Sequence, residues 1–204
     1  AAFVVDWYYI NLNLVYKPQL LNLKTAFPEE WLQSYLSPLE ETCQTNQGEL
    51  YYQKALYGLH QEQYEAALTH LEEALKIKPK NPKLGFLKGK ILLNLKQWQE
   101  AIAAFDRVLQ VYPQDFPTLK GKGIARFKLL ASEEAIAIFE EALNLNPNDE
   151  ELWTYKGHAL YSLNQLQEAI AAYDRALTLN PSNTTARNYR QSALDNLGIV
   201  PQPE

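Results

Sequence analysis

Basic side chains are concentrated in two segments of this sequence, 82–97 and 116–131, and neither segment contains an acid. The bases are Lys83, Lys88, Lys90, Lys96, Lys120, Lys122, Arg126 and Lys128. Such a field of one sign raises the association rate of ligands of the opposite sign. We interpret these bases together as a surface for an acidic ligand, although any single lysine is better explained as a solvated surface charge.

The other reactive side chains do not form a catalytic or metal-binding pattern. His60, His70 and His158 lack the paired spacing of metal ligands. Cys43 has no histidine at motif spacing. The Gly-Lys-Gly run at 121–123 lacks the further glycines and the Ser or Thr of a phosphate-binding loop. We therefore predict a protein that is not an enzyme and that uses no metal, no cofactor and no catalytic residue.

The composition is typical of an ordered, soluble protein. The chain is 47% hydrophobic and 21% charged, and it has no apolar run near the roughly 18 residues that span a bilayer. Its net charge of −5 argues against a nucleic-acid partner. The single cysteine fits a reducing compartment, and we predict a cytoplasmic protein. The sequence contains no methionine, so a targeting or membrane segment before residue 1 stays open.

The elements that must position the bases recur along the chain. Pro79, Pro113, Pro147 and Pro181 are separated by one constant interval of thirty-four positions. The same spacing relates Ala67, Ala101, Ala135 and Ala169; Leu71, Phe105, Phe139 and Tyr173; and Ala55, Gly89, Gly123 and Gly157. A fixed period of this length indicates stacked supersecondary units.

Each unit has the pattern of two helices. In the last unit, a first apolar stripe at i, i+4 and i+7 comprises Trp153, Gly157 and Leu160. A second stripe comprises Ala169, Tyr173, Ala176 and Leu177. Proline then ends the second helix, because it has no amide hydrogen and restricts the residue before it. The small residues predict close approach of the two helices, with the repeating aromatic side chain packed beside them.

The pattern resembles the tetratricopeptide repeat (TPR) family, which has helix-turn-helix units of this length, a small residue in each helix and a terminal proline. We place the repeats at 48–81, 82–115, 116–149 and 150–183. The match is most specific in 150–183 and looser in 48–81, where Ala55 replaces glycine and Gly58 occupies a position usually held by a large residue. In 82–115, Gly85 occupies a position at which the family prefers an aromatic residue. The resemblance implies an all-α, right-handed superhelical solenoid that binds ligands in a concave groove formed by the first helices. Residues 166–183 are similar to bacterial, including cyanobacterial, members of the family.

The family's groove positions, carried over to this sequence, imply a set of ligand-binding residues. They are Tyr52, Leu56, Lys83, Phe86, Lys90, Asn94, Lys120, Ile124, Phe127, Lys128, His158 and Tyr161. Aromatic anchors beside cations suit an acidic peptide with bulky apolar residues. The family's carboxylate clamp for chaperone tails is not matched, because its positions hold residues such as Leu56, Leu87 and Pro117.

A second set of bases recurs with the repeat period, namely Lys54, Lys88, Lys122 and Lys156. One interpretation is a ladder of cations for a ligand. The alternative, which we favour, is that the stems pack between repeats while the amines reach solvent.

The two ends of the chain do not carry the repeat. An apolar face and a final Gly198 predict a capping helix at 184–198, followed by a tail at 199–204. Residues 1–47 hold eight of the 24 aromatic residues. Their pattern fits a helix or a strand, and we favour helix; Trp31, Leu32 and Tyr35 predict a short helix that begins near Pro28. We expect this extension to cover the first repeat; the alternatives are that it occupies a groove or contacts a membrane surface.

These features predict a non-catalytic adaptor that binds an acidic, apolar-anchored segment of another protein in a basic concave groove. The main alternative is a self-associating or autoinhibited module in which residues 1–47 fill a groove, with an assembly factor for a membrane complex as one such role. Single-stranded RNA along the basic wall is a third hypothesis, which the acidic net charge disfavours.

Overall fold

The computed structural model describes residues 46–198, and this part of the chain is helical without any strand. The helices are α1 (46–60), α2 (Tyr64–Ile77), α3 (Pro82–Asn94), α4 (Trp98–Leu109), α5 (Phe116–Lys128), α6 (Ser132–Leu145), α7 (Glu150–Ser162), α8 (Leu166–Leu179) and α9 (Thr184–Asn196). The predicted all-α fold and the predicted C-terminal helix are confirmed. The predictions for residues 1–45 and 199–204 lie outside the described residues.

The helices stack in chain order and form two layers. From α2 onward, each helix packs against the helix that follows it. The first helices of successive pairs also contact one another, α3 with α5, α5 with α7, and α7 with α9. The odd-numbered helices therefore form one continuous layer, and the even-numbered helices form a second layer that packs against it.

One cap residue starts each of α3, α5, α7 and α9, two positions after the repeating proline. Asn81 accepts a hydrogen bond from the Lys83 backbone amide at 3.0 Å, and Asp149 accepts one from Leu152 at 2.8 Å. Asp115 and Asn183 cap α5 and α9 in the same way. Side-chain oxygens of Asn and Asp satisfy amide groups that the first helical turn leaves without a partner. The proline and the cap together explain why each helix ends and the next begins at a fixed period.

Glycine makes the close packing within the second, third and fourth helix pairs possible, and Ala55 holds the same position in the first. A Cβ atom on Gly123 would lie 2.5 Å from Cε1 of Phe139, and one on Gly157 would lie 2.4 Å from Cε1 of Tyr173. Real Cβ contacts are essentially never shorter than 3.0 Å. Phe139 and Tyr173 are fully buried, as is Phe105. The predicted packing of an aromatic side chain against a small residue is confirmed.

The turns inside the helix pairs share an unusual backbone conformation. Glu62, Lys96, Leu130 and Asn164, which recur at the repeat period, have φ between 58° and 62°. This left-handed region disfavours side chains other than those of Asn and Asp. Leu130 is therefore poorly suited to its position, and its side chain is also 88% exposed.

Candidate functional site

The candidate site is the exposed face of the layer formed by α1, α3, α5 and α7, which we call the concave wall. All twelve predicted groove residues lie on these helices, and none of them is fully buried. Residues one repeat period apart occupy equivalent positions, so Leu56, Lys90, Ile124 and His158 form one row along the wall. The wall is thus a continuous surface to which each unit contributes the same positions.

A cavity of about 780 Å³ lies at the C-terminal end of this wall, between α5, α7 and α9. It brings together four of the predicted residues: Phe127, Lys128, His158 and Tyr161. A second cavity of about 500 Å³ brings Tyr52 and Lys83 together near the start of α1. Neither cavity includes the remaining six predicted residues, Leu56, Phe86, Lys90, Asn94, Lys120 and Ile124.

Aromatic rings form much of the C-terminal cavity. The His158 ring centroid lies 4.3 Å from that of Tyr189 and 6.2 Å from that of Phe127. The Asn196 side chain donates a hydrogen bond of 2.8 Å to the Tyr161 hydroxyl. Aromatic clusters with a polar edge are typical anchor sites at protein interfaces.

Sequence reasoning did not include Tyr189 among the groove residues, because it assigned α9 to a capping role. Tyr189 lies on α9, lines the cavity and is 43% exposed. A signal was available in the sequence, since Tyr189 stands one repeat period after Tyr155, another residue of the cavity wall. Helix α9 therefore extends the wall with the register of a first helix.

His158 is uncharged near neutral pH in this environment. Burial lowers its pKa to about 4, and the positive charge of Lys128 acts in the same direction. Its Nε2 atom is buried and has no hydrogen-bond partner within residues 46–198. His158 can thus contribute a ring face to a ligand but not a positive charge.

Lys120 does not present an exposed charge, contrary to the expectation for a basic wall. Its Nζ atom lies 2.8 Å from Oδ2 of Asp149 and 2.6 Å from Oε2 of Glu151, and the side chain is only 20% exposed. Burial acts to lower its pKa, but the hydrogen bonds to the two carboxylates outweigh burial and raise it. The charge is compensated because the first turn of α7 places these acids beside it.

The recurring lysines join adjacent units on the side away from the cavity. Lys88 pairs with Glu72 at 3.2 Å, and Lys122 pairs with Asp106 at 2.7 Å. Lys156 with Glu140 and Arg190 with Asp174 repeat this arrangement at the same separation along the chain. The structure thus supports packing between units for these bases rather than a ladder of free cations.

Half of the eight bases are therefore paired with carboxylates of this protein, so the eight do not contribute equally to a basic surface. Lys88, Lys120 and Lys122 are paired as described, and Arg126 lies 3.0 Å from Glu134. Within residues 46–198, no ion pair involves Lys83, Lys90, Lys96 or Lys128. Only these four bases retain the charge that was predicted to attract an acidic ligand.

Paired helices stacked at a fixed period define the class of helical repeat solenoids. The sequence model of the tetratricopeptide repeat matches residues 59–122, and a second model of this repeat matches residues 150–183. The chain belongs to the tetratricopeptide repeat family. Proteins of this family are typically non-enzymatic interaction scaffolds, and this chain is a protein-interaction scaffold. The model of the protein prenyltransferase alpha subunit repeat also matches, over residues 132–163.

Solved structures share this fold. "MamA 41-end from Desulfovibrio magneticus RS-1" is 24% identical with a TM-score of 0.71, and the match covers 75% of this chain and 86% of that chain. "Crystal structure of MamA protein" is 18% identical with a TM-score of 0.70, and the match covers 76% of this chain and 85% of that chain. At these identities the likeness shows the solenoid fold alone. Among curated proteins, no sequence matches the chain.

Two properties of the described helices bear on the predicted chemistry. Within residues 46–198, no helix has the length and apolar character needed to cross a membrane. In the same part of the chain, no group of three or more His, Cys, Asp or Glu side chains is arranged to hold a metal ion.

Proposed function

We propose that the concave wall binds an acidic, apolar-anchored segment of another protein, within a scaffold of four repeats at 48–81, 82–115, 116–149 and 150–183. The observation that carries this proposal is the aromatic cavity of about 780 Å³ at one end of the wall. Lys83, Lys90 and Lys128, which have no ion-pair partner in the described chain, supply the charge preference.

The cavity suits an apolar anchor of the ligand. Phe127, Tyr161 and Tyr189 offer ring faces and edges, and the neutral His158 ring lies among them. Side chains of Asn183 and other polar residues complete the lining. A large apolar side chain in such a pocket contributes most of the binding energy of many interfaces, because it is fully removed from water there.

The acidic part of the ligand is assigned to the α3 end of the wall. Lys90 shares its row with Ile124 and His158, so an extended segment anchored in the cavity passes over Ile124 and reaches Lys90. Lys83 and Lys90 are both exposed on α3. The cavity itself contains Glu150 and Glu151 beside Lys128, so the charge preference does not come from the cavity alone.

A binding assay with synthetic peptides tests this function. We expect fluorescently labelled peptides with Trp or Leu anchors and several Asp or Glu residues to bind more tightly than matched peptides with Lys. Lys90→Glu should weaken this binding by about tenfold and flatten its dependence on salt, since exposed charges act through a field that salt screens.

The matched control is Glu141→Lys, an exposed residue of α6 for which no ion pair is found in the described chain. This variant should leave peptide binding nearly unchanged. If Glu141→Lys abolishes binding while Lys90→Glu preserves it, the groove assignment is wrong.

A further inference from the structure

We propose that residues 28–36 of this same chain dock into an apolar groove between α2 and α4, on the side opposite the concave wall. The groove encloses about 610 Å³. Its apolar lining includes Leu68, Leu75, Leu92, Ala103, Val108 and Val111. This second site does not depend on the ligand proposed for the concave wall.

The groove is present because one large side chain is missing from the repeat. Gly85 occupies the position that Tyr51, Leu119 and Trp153 hold in the other units. Each of those three side chains packs in or against a core cluster. At Gly85, Cγ2 of Val108 would lie only 2.7 Å from a Cβ atom, so Val108 approaches the backbone directly. Val108 thus occupies the place of the missing Cβ atom, and the groove lies over both residues.

Polar side chains surround this apolar floor. Glu72 and Lys88 form an ion pair of 3.2 Å within the lining, and Lys80, Glu100 and Arg107 are among its other polar residues. Val111, which lines the groove, is 64% exposed, and the adjacent Tyr112 is 50% exposed. Contiguous exposed apolar surface with a polar border is typical of a protein contact site.

The chain outside the described residues begins beside this groove. Gly48 of α1 lies against Ile77, whose Cγ2 atom would be 3.4 Å from a Cβ atom on the glycine. The cavity next to Gly48 shares Asn81 and Pro82 with the groove. Residues 37–45 connect residues 28–36 to α1, and a fully extended stretch of this length spans roughly 30 Å. Tethering at this distance gives the segment a high effective concentration at the groove.

Residues 28–36 have the chemistry that the groove requires. Trp31, Leu32 and Tyr35 stand at i, i+1 and i+4, so they share one side of a predicted helix. Glu29 and Glu30 precede them and have the charge opposite to that of Lys80 and Arg107. An aromatic face of this kind, held against the groove, removes both apolar surfaces from water.

Disulfide trapping in the full chain tests the docking. The variant combines Cys43→Ser with Leu32→Cys and Ala103→Cys, since Ala103 is exposed and lines the groove. Under mild oxidation we expect an intramolecular disulfide in the monomer. The matched control carries Ala137→Cys instead, at the equivalent exposed position of the next unit. Equal trapping at both positions, or none at Ala103→Cys, overturns the proposal. A disulfide-linked dimer overturns it in favour of a second copy.

Hydrogen exchange gives a second measurement that does not depend on a single pair of positions. In the otherwise unchanged chain, Ala103→Arg should raise the exchange rate of the residue 28–36 amides by about tenfold or more, because it places a charge in the apolar groove. Ala137→Arg should leave those rates unchanged. If the two variants behave alike, residues 28–36 do not occupy this groove.

Discussion

Two neighbouring helices of the concave wall, α3 and α5, both carry lysines but differ in how those charges are compensated. At the α3 end, Lys90 is exposed and has no ion-pair partner among the described residues. At the α5 end, Lys120 is held by Asp149 and Glu151. The two lysines do not occupy equivalent positions, since Phe86 stands one repeat period before Lys120 and Ile124 stands one period after Lys90. The charge of a repeat surface is therefore decided by the neighbouring repeat as well as by its own residues.

The two ends also differ in what they can hold. The C-terminal end has an aromatic cavity whose central histidine is neutral, whereas the α3 end presents lysines beside Phe86 and Leu93. One end can bury an apolar side chain, and the other can attract carboxylates. This division suggests that a ligand binds in one orientation along the wall.

The largest expected effect is on the free energy of unfolding, through the glycine–aromatic contact that the helix pairs have in common. Gly123→Leu should lower the free energy of unfolding by about 1–3 kcal/mol or more, because the new side chain overlaps the buried Phe139 ring. Gly89→Leu should have a comparable effect, since Gly89 faces Phe105 in the same way. Chemical denaturation measures both changes, with exposed Ala137→Leu as the control. Wild-type stability in either glycine variant would contradict the close contact.

Reversing the charge of Lys120 and of Lys90 should change the stability of the fold by different amounts. Lys120→Glu would place a third carboxylate beside Asp149 and Glu151, and it should destabilise the fold by about 1–3 kcal/mol. Lys90→Glu, in an exposed position, should change stability by about 0.5 kcal/mol or less. Thermal denaturation of the two variants measures the contrast. Equal losses of stability would mean that the two lysines have similar surroundings.

Acid should destabilise the C-terminal end through His158. The pKa of this residue falls from 6.5 to about 4 in the folded state, chiefly because of burial. Between these values the unfolded chain binds more protons, so stability is complete above about pH 6.5 and is lost as the pH falls toward 4. His158→Gln should reduce this pH dependence of the melting temperature, whereas exposed His60→Gln should not. An unchanged pH profile in His158→Gln would show that His158 does not cause the loss of stability in acid.

The smallest effect is expected in the turns of the third and fourth helix pairs. Leu130 and Asn164 have the same left-handed backbone, with φ of 62° and 60°. Leu130→Asn should stabilise the fold by about 0.5–1 kcal/mol, and Asn164→Leu should destabilise it by a similar amount, because Asn tolerates this conformation better. Melting temperatures of the two variants provide the test. Changes of the same sign in both would show that contacts outside the turn dominate.

Much of the fold could be predicted from the sequence because its determinants are local and repeated. The constant repeat period, the cap after each proline and the glycine opposite an aromatic ring act within one helix pair. Each of these signals predicts the same structure in successive units, so an error in one unit is corrected by the others. The helical assignment of 48–197 accordingly agrees with the structure.

The site could be predicted only in part, because its properties depend on contacts between units. The sequence by itself determined which side chains belong to the first helices and share the wall, including the row of Lys90, Ile124 and His158. Only the tertiary structure decided that Lys120 is paired with Asp149 and Glu151 at the start of α7, and that Tyr189 lines the cavity. The physical reason is that ionic and ring contacts depend on distances of a few ångströms between helices, which a pattern along the chain does not specify.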